Sequence, residues 1–248
     1  MKKVFLLTGL LYLGLTSCKE ESLLEDNPNP PADNIELNFL PYFGEKPLKV
    51  DSVYTNSVGA RFMIDTVSLL ISDIKFMDRN LNETIDTAKN YVLLSTYKQS
   101  VLTGKMPAMG YYGNFQLIAG TDSLDAIKNL DEFLEIDPEW VRKDPYGVDF
   151  FKIKGRYFDP ASPPEDSVML PMEYTLGTYM LSDTATSDIR GFSIDNLQQI
   201  KIFLLTDLKP LLNLMPIDQV DEIVSDPTNT QDFTIAKAMA DSLSIGIF

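Results

Sequence analysis

Along most of the chain, apolar and polar residues alternate with a period of two, the spacing of a strand with one face in a core. Between Arg61 and Asp78, Val67, Leu69 and Ile71 share one phase, and Ile74 and Phe76 take the other. A strand whose core-facing set changes phase must accommodate one extra residue. The switch at Ser72 and Asp73 therefore predicts a β-bulge. Tyr91 to Ser95 is a short apolar run. Between Tyr111 and Ile118, Phe115 and Leu117 alternate with Asn114 and Gln116, as in a half-buried strand. Val148 to Phe158 alternates most regularly, with Phe151, Ile153 and Tyr157 on one side and Lys152, Lys154 and Arg156 on the other. Glu173 to Met180, Gly191 to Ile194 and Leu197 to Thr206 read as further strands. Short strands separated by turn signals predict an all-β fold, an antiparallel β-sandwich with two immunoglobulin-like layers.

Near the C-terminus the period changes. Leu208, Leu211, Leu212 and Met215 are spaced as one helical face, with Pro210 in the first turn, where its missing N–H costs nothing. Thr230 to Ser242 also reads as a helix, with Ile235, Ala238 and Met239 as its apolar positions. These short C-terminal helices are expected to pack on one end of the sandwich. Loop signals fall at Asp78 to Asn90, Asp159 to Asp166 and Asp226 to Thr230.

The first residues follow another logic. Lys2 and Lys3 precede an apolar run from Val4 to Leu15, then Thr16, Ser17 and Cys18. The run is too short to cross a bilayer of roughly 30 Å, which takes about 20 residues. Residues 1–17 read as a lipoprotein signal peptide, with small residues before Cys18 to admit a peptidase. Cys18 is then the lipidation site, carrying diacylglycerol on its sulfur and palmitate-type acyl chains that anchor it to the bilayer. Lys19, Glu20 and Glu21 resemble the surface-export signal of lipoproteins in one large Gram-negative phylum. They predict an outer-membrane lipoprotein exposed at the cell surface. The rest of residues 18–34 is acidic and rich in proline, a tether that cannot bury enough apolar area to fold. Residues 35–248 form the β-sandwich domain.

Composition narrows the chemistry. The chain has a net charge of −15, one cysteine and no histidine. So acidic a protein lacks the basic footprint for nucleic acid, and anionic headgroups repel it. The single cysteine leaves no disulfide. Without imidazole there is no histidine-based hydrolase triad and no His-ligated zinc, copper or haem. Oxygen-bound hard cations remain possible chemistry. Asp78, Asn80, Asn82 and Glu83 resemble the start of a calcium loop. Its glycine is missing, however, and Lys89 stands at the final acidic position, so a polar hairpin loop is the better reading. Asp131, Glu132, Glu135, Asp137 and Glu139 read as a solvated acidic face rather than a glycosidase pair. Asp122 and Asp149 form an oxygen-only cation site if their strands are neighbours. Tyr111, Tyr112 and Tyr146 suit a sugar-stacking platform, although tyrosines are also ordinary sheet residues. Met106, Met109, Met169, Met172 and Met180 are thioethers, more often core residues than Cu(I) ligands.

Taken in order, several segments resemble the MbnP-like family, named for a protein of the methanobactin (copper-chelator) operon. They are Ile35 to Leu40, Pro47 and Leu48, Arg61 to Phe76, Met106 to Tyr112, Phe115 to Leu124, Trp140, Gly147 to Tyr157, and Ala236 to Phe248. The resemblance implies a β-sandwich outside the cytoplasm. In some members it implies copper held by histidine and a modified tryptophan, and a di-haem peroxidase-like partner. This chain has Asp149 where a family strand usually carries histidine, and Thr175 at a second histidine position. It also lacks a histidine near Leu40. Trp140 remains, and a packing role suits it.

These readings converge on a surface-anchored lipoprotein of the MbnP-like type, not an enzyme, with a binding or envelope-assembly role. Its histidine-based copper site is lost, and no cofactor is expected. The expected partners are the lipid bilayer, through the acyl chains, and an envelope protein or small ligand; nucleic acid is excluded. Two other readings stay open. One is a metal-binding module using carboxylate or methionine ligands, and the other a glycan-binding accessory of a surface uptake system.

Overall fold

A computed structural model describes residues 35–77, 83–86, 91–102, 110–112, 114–121, 148–162, 168–186, 192–194, 200–214, 222–224, 226–243 and 245–247. In chain order the first strands are β1 (Ile35–Phe43), β2 (Lys46–Pro47), β3 (Val53–Thr55), β4 (Arg61–Met77), β5 (Glu83–Asp86) and β6 (Tyr91–Ser95). They are followed by β7 (Ser100–Leu102), β8 (Gly110–Tyr112), β9 (Asn114–Ala119), β10 (Asp149–Phe158), β11 (Met169–Gly177) and β12 (Asp183–Thr186). The remainder is β13 (Phe192–Ile194), β14 (Ile200–Asp207), helix α1 (Lys209–Leu214), β15 (Glu222–Val224), helix α2 (Thr230–Ser242) and β16 (Ile245–Ile247).

The expected all-β, sandwich-like architecture is what forms. One sheet runs β16-β14-β1-β2, with β7 also on β1; the larger runs β12-β9-β4-β10-β11-β15, and β8 pairs with β13 in a separate ribbon. Most pairings are antiparallel. Among the described residues two are parallel, β1 with β14 and β11 with β15, so the sheets are antiparallel-rich rather than purely antiparallel.

β4 organises the larger sheet. β10 pairs with its residues Phe62 to Leu69, β6 with Ser68 to Ser72, and β9 with Ile71 to Met77. The overlaps place β9 and β10 end to end along one edge of β4, and β6 along the other. The bulge expected at Ser72 and Asp73 is present. The β4–β9 register shifts between Ser72 and Lys75, and Asp73 has φ 51°. Ile71 and Ile74 are both buried as a result.

Both layers feed one apolar cluster. β1 contributes Leu37 and Phe39, β14 Ile202 and Leu204, and the larger sheet Phe62, Phe151 and Tyr174. Burying each of these large side chains contributes on the order of 1.5–3 kcal/mol. The helices close the cluster with Leu211 and Leu212 of α1 and Ala236 and Met239 of α2. Ala238, expected on the apolar face, is exposed; Ala236 takes its place, three residues before Met239 on the helix. β11 also departs from expectation. It begins at Met169 and stops at Gly177, where the chain turns into a 3-10 segment, Tyr179–Leu181.

Outside the core, Arg156 forks onto Asp65, with Nη2 2.7 Å from Oδ1, and the same nitrogen lies 2.9 Å from Oδ1 of Asp51. The hydrogen bond to Asp65, then its charge, hold the guanidinium above the ordinary arginine range.

Candidate functional site

The site begins where β9 stops and β10 starts, on the same edge of β4. The Gly120 N–H donates to the Leu70 carbonyl at 3.1 Å, which ends the β9 ladder. Ser72 Oγ donates to the Gly120 carbonyl at 2.6 Å from inside the protein. Gly120 has φ +98°, and a Cβ there would lie 3.1 Å from the Phe150 ring. Backbone and space both require glycine.

The chain leaves this point at Thr121 and returns at Val148. From Val148 to Ile153 every residue is buried, so this end of β10 is covered on both faces. The alternation would put Asp149 on the core side with Phe151. The β10–β11 register shifts between Asp149 and Phe151, however, so Asp149 opposes Gly177 and Lys152 opposes Thr175. Cross-strand partners share a face. The extra residue, Phe150, thus moves Asp149 onto the face that carries Thr175 and Lys152. Lys152 is only 8% exposed, although its place in the alternation suggested a solvated side chain. Its Nζ lies 3.7 Å from Glu173 Oε1, and Lys154 reaches the other oxygen of that carboxylate at 3.7 Å. A buried ammonium needs such compensation, since desolvation costs several kcal/mol.

Thr178 follows at the end of β11. Its φ of 71° with ψ of 146° is a conformation essentially confined to glycine. Its Oγ1 is buried and, among the described residues, has no hydrogen-bond partner. Ser72, Thr121, Asp149, Lys152, Thr175 and Thr178 account for most of the buried polar side chains of the described residues. They gather at one end of β10 and the strands beside it. The grouping contains one carboxylate, one ammonium and several hydroxyls.

Two residues singled out from the sequence, Asp149 and Thr175, are therefore brought onto one face of neighbouring strands, though not directly opposite each other. Cys18, Lys19, Glu20, Glu21 and Trp140 lie outside the described residues. So do Asp78, Asn80, Asn82, Lys89, Asp122, Tyr146, Met106 and Met109, and the acidic cluster from Asp131 to Glu139. Tyr111 and Tyr112 lie on β8, and Glu83 begins β5. Met172 is buried and Met180 exposed. Among the described residues, no three His, Cys, Asp or Glu side chains converge on one point. Lys152 and Thr178 were not foreseen. A lysine in a regular alternation looks solvated, and the backbone strain at Thr178 leaves no trace in residue type.

The family model of MbnP matches residues 32–231. The fold is similar to that of MbnP from Methylosinus trichosporium, at 12% identity and a TM-score of 0.47, over 86% of this chain and 97% of that one. No curated protein matches the chain. The family match spans well over half of the sequence and includes Asp149, Thr175 and all of the larger sheet, and by it the chain belongs to the MbnP family.

Proposed function

We propose that this chain is a lipid-anchored, non-enzymatic member of its family. It is held at the outer face of the outer membrane, binds a small ligand or an envelope protein, and has no imidazole copper site. One observation carries the reading. Of the two family ligand positions on the described strands, one is an aspartate, and the other is a threonine directly across from Lys152. Cu(II) favours imidazole, and a neutral hydroxyl is a poor substitute. The chain has no histidine to supply from elsewhere. An aspartate and a threonine hydroxyl do not fit the copper implied by the resemblance, so no chemistry is assigned to it. The anchoring rests on the small residues before Cys18 and on Lys19, Glu20 and Glu21 after it.

The copper reading is tested by titrating the purified full chain and reading stoichiometry by native mass spectrometry. No tight complex is expected, and one copper per chain would overturn the reading. Elemental analysis of protein purified without added metal separates the carboxylate or methionine alternative, which requires about one bound metal per chain. For the anchor, Cys18→Ala should move the protein out of the membrane fraction. Replacing Lys19, Glu20 and Glu21 by alanine should remove it from protease digestion on intact cells. Unchanged fractionation or unchanged accessibility would contradict the anchor or the export signal, respectively.

A further inference from the structure

The edges of the two sheets approach each other beside the C-terminal end of α2. There β12, at one end of the larger sheet, contacts β16, at one end of the smaller. A cavity of about 260 Å³ opens between them. Ala119 of β9, Ala185 of β12 and Ala240 of α2 all line it. Protein interiors ordinarily close such spaces to crystal-like density. Here three elements each present a methyl group where a longer side chain would fill the gap. Leu243 and Ile245, both half-buried, add apolar surface, and the buried Phe150 lies behind them.

Among the described residues, the lining carries one charged group, a carboxylate. Asp183 is exposed, and its Oδ1 accepts only the N–H of its neighbour Thr184, at 2.8 Å, among the hydrogen bonds of the described residues. The last turn of α2 has no basic residue; Ser242 Oγ donates to the Met239 carbonyl at 2.7 Å and the Leu243 N–H to the Ala240 carbonyl at 3.0 Å, and the remaining carbonyls carry the helix end's partial negative charge. Lys237, one turn earlier, is engaged by Asp241 at 2.8 Å. A chamber lined by both apolar and polar groups, with an exposed carboxylate and a helix C-terminus at its rim, suits a cation with a small apolar body.

We propose that this cavity binds a small organic ammonium, its apolar part against Ala185, Ala240 and Leu243 and its charged head at Asp183. The size suits a ligand just below the drug-sized class, whose pockets run about 300–1,000 Å³. The proposal goes beyond the family-site reading and does not depend on the fate of Asp149 or Thr175.

The test measures binding of phenethylammonium, phenethyl alcohol and hydrocinnamate to the full chain by titration calorimetry. The three probes share a ring and a short linker and differ in charge. The ammonium should bind about tenfold more tightly than the alcohol, from an exposed ion pair and a helix-terminus contribution together. The carboxylate should bind least. Asp183→Asn should reduce the ammonium's advantage to about threefold, leaving the helix end alone. Ala185→Leu should abolish binding of all three while leaving the urea midpoint close to that of the parent. Should Ala185→Leu not fold, Asp183→Asn decides, because its side chain is exposed. The proposal is overturned by absence of binding, by equal affinity for ammonium and alcohol, by an Asp183→Asn variant that keeps the full preference, or by a folded Ala185→Leu variant that still binds.

Discussion

Gly155→Ala should be among the most damaging single-methyl additions this protein can receive. Gly155 sits inside β10, opposite Met172 on β11 and Ile64 on β4, at the point where the β10–β4 register shifts. A Cβ there would fall 2.2 Å from the Met63 carbonyl oxygen, 2.7 Å from Met172 Cε and 3.3 Å from Ile64 Cα. The Met172 methyl can swing away at little cost, but the Met63 carbonyl belongs to the backbone ladder. Restoring ordinary contact means moving β4 and β10 apart by about 1 Å, which takes adjacent N–H···O bonds from about 2.9 Å to beyond effective range. Overpacking costs about 1–3 kcal/mol, and each weakened hydrogen bond about 1 kcal/mol, for a total of about 3–5 kcal/mol. For a chain of this size that lowers Tm by roughly 6–20 °C. Gly59→Ala is the control. Gly59 has φ +90° and, among the described residues, nothing within 4 Å of the added methyl, so backbone strain of about 1–2 kcal/mol is what the change introduces. Thermal unfolding followed by circular dichroism compares the two. A Gly155→Ala variant melting within about 2 °C of the parent would refute the steric argument. So would one that suffers less than Gly59→Ala.

Three further outcomes are expected. Thr206 Oγ1 is fully buried and, among the described residues, unpartnered; Thr206→Val keeps the shape, removes the orphan and should raise the urea midpoint by an amount equivalent to about 1 kcal/mol at unchanged m. Thr178→Gly should also stabilise, by about 1 kcal/mol after the entropy of glycine is subtracted from the strain. Thr178→Ala keeps a Cβ in the same backbone conformation and should recover less in the same urea titration. Asn229 caps α2, accepting from the Asp232 N–H through its side chain. Asn229→Ala should cost about 1 kcal/mol, read as faster amide exchange in the first turn of α2 and a lower midpoint.

How much of this was legible from residues alone depends on whether the cause is local. The bulge at Ser72 and Asp73 could be placed because burial on one face imposes a period of two, and a phase change admits few explanations. β6 and α2 could be bounded to the residue on other local grounds, a short apolar run for the one and helical spacing for the other. Their apolar spacing and, for α2, the polar residues before it are read within a single element. Asp149 and Thr175 could be named from the family pattern, but not placed. Counting by twos from Phe151 puts Asp149 in the core. Only the bulge at Phe150 turns it onto the face of Lys152 and Thr175.

The all-β class, the short C-terminal helices and the absence of imidazole chemistry each follow from composition or from spacing within one segment. The remainder depends on packing between segments. The parallel pairing of β1 with β14 joins residues far apart in the chain and carries no signal in either strand. Lys152 is buried because both faces of β10 are covered at that end, while the same residue in the same alternation would be solvated on an open sheet. The cavity exists because alanines from β9, β12 and α2 meet at one place. Each alone is an unremarkable small residue, and only packing three elements together turns them into a space that a ligand could fill.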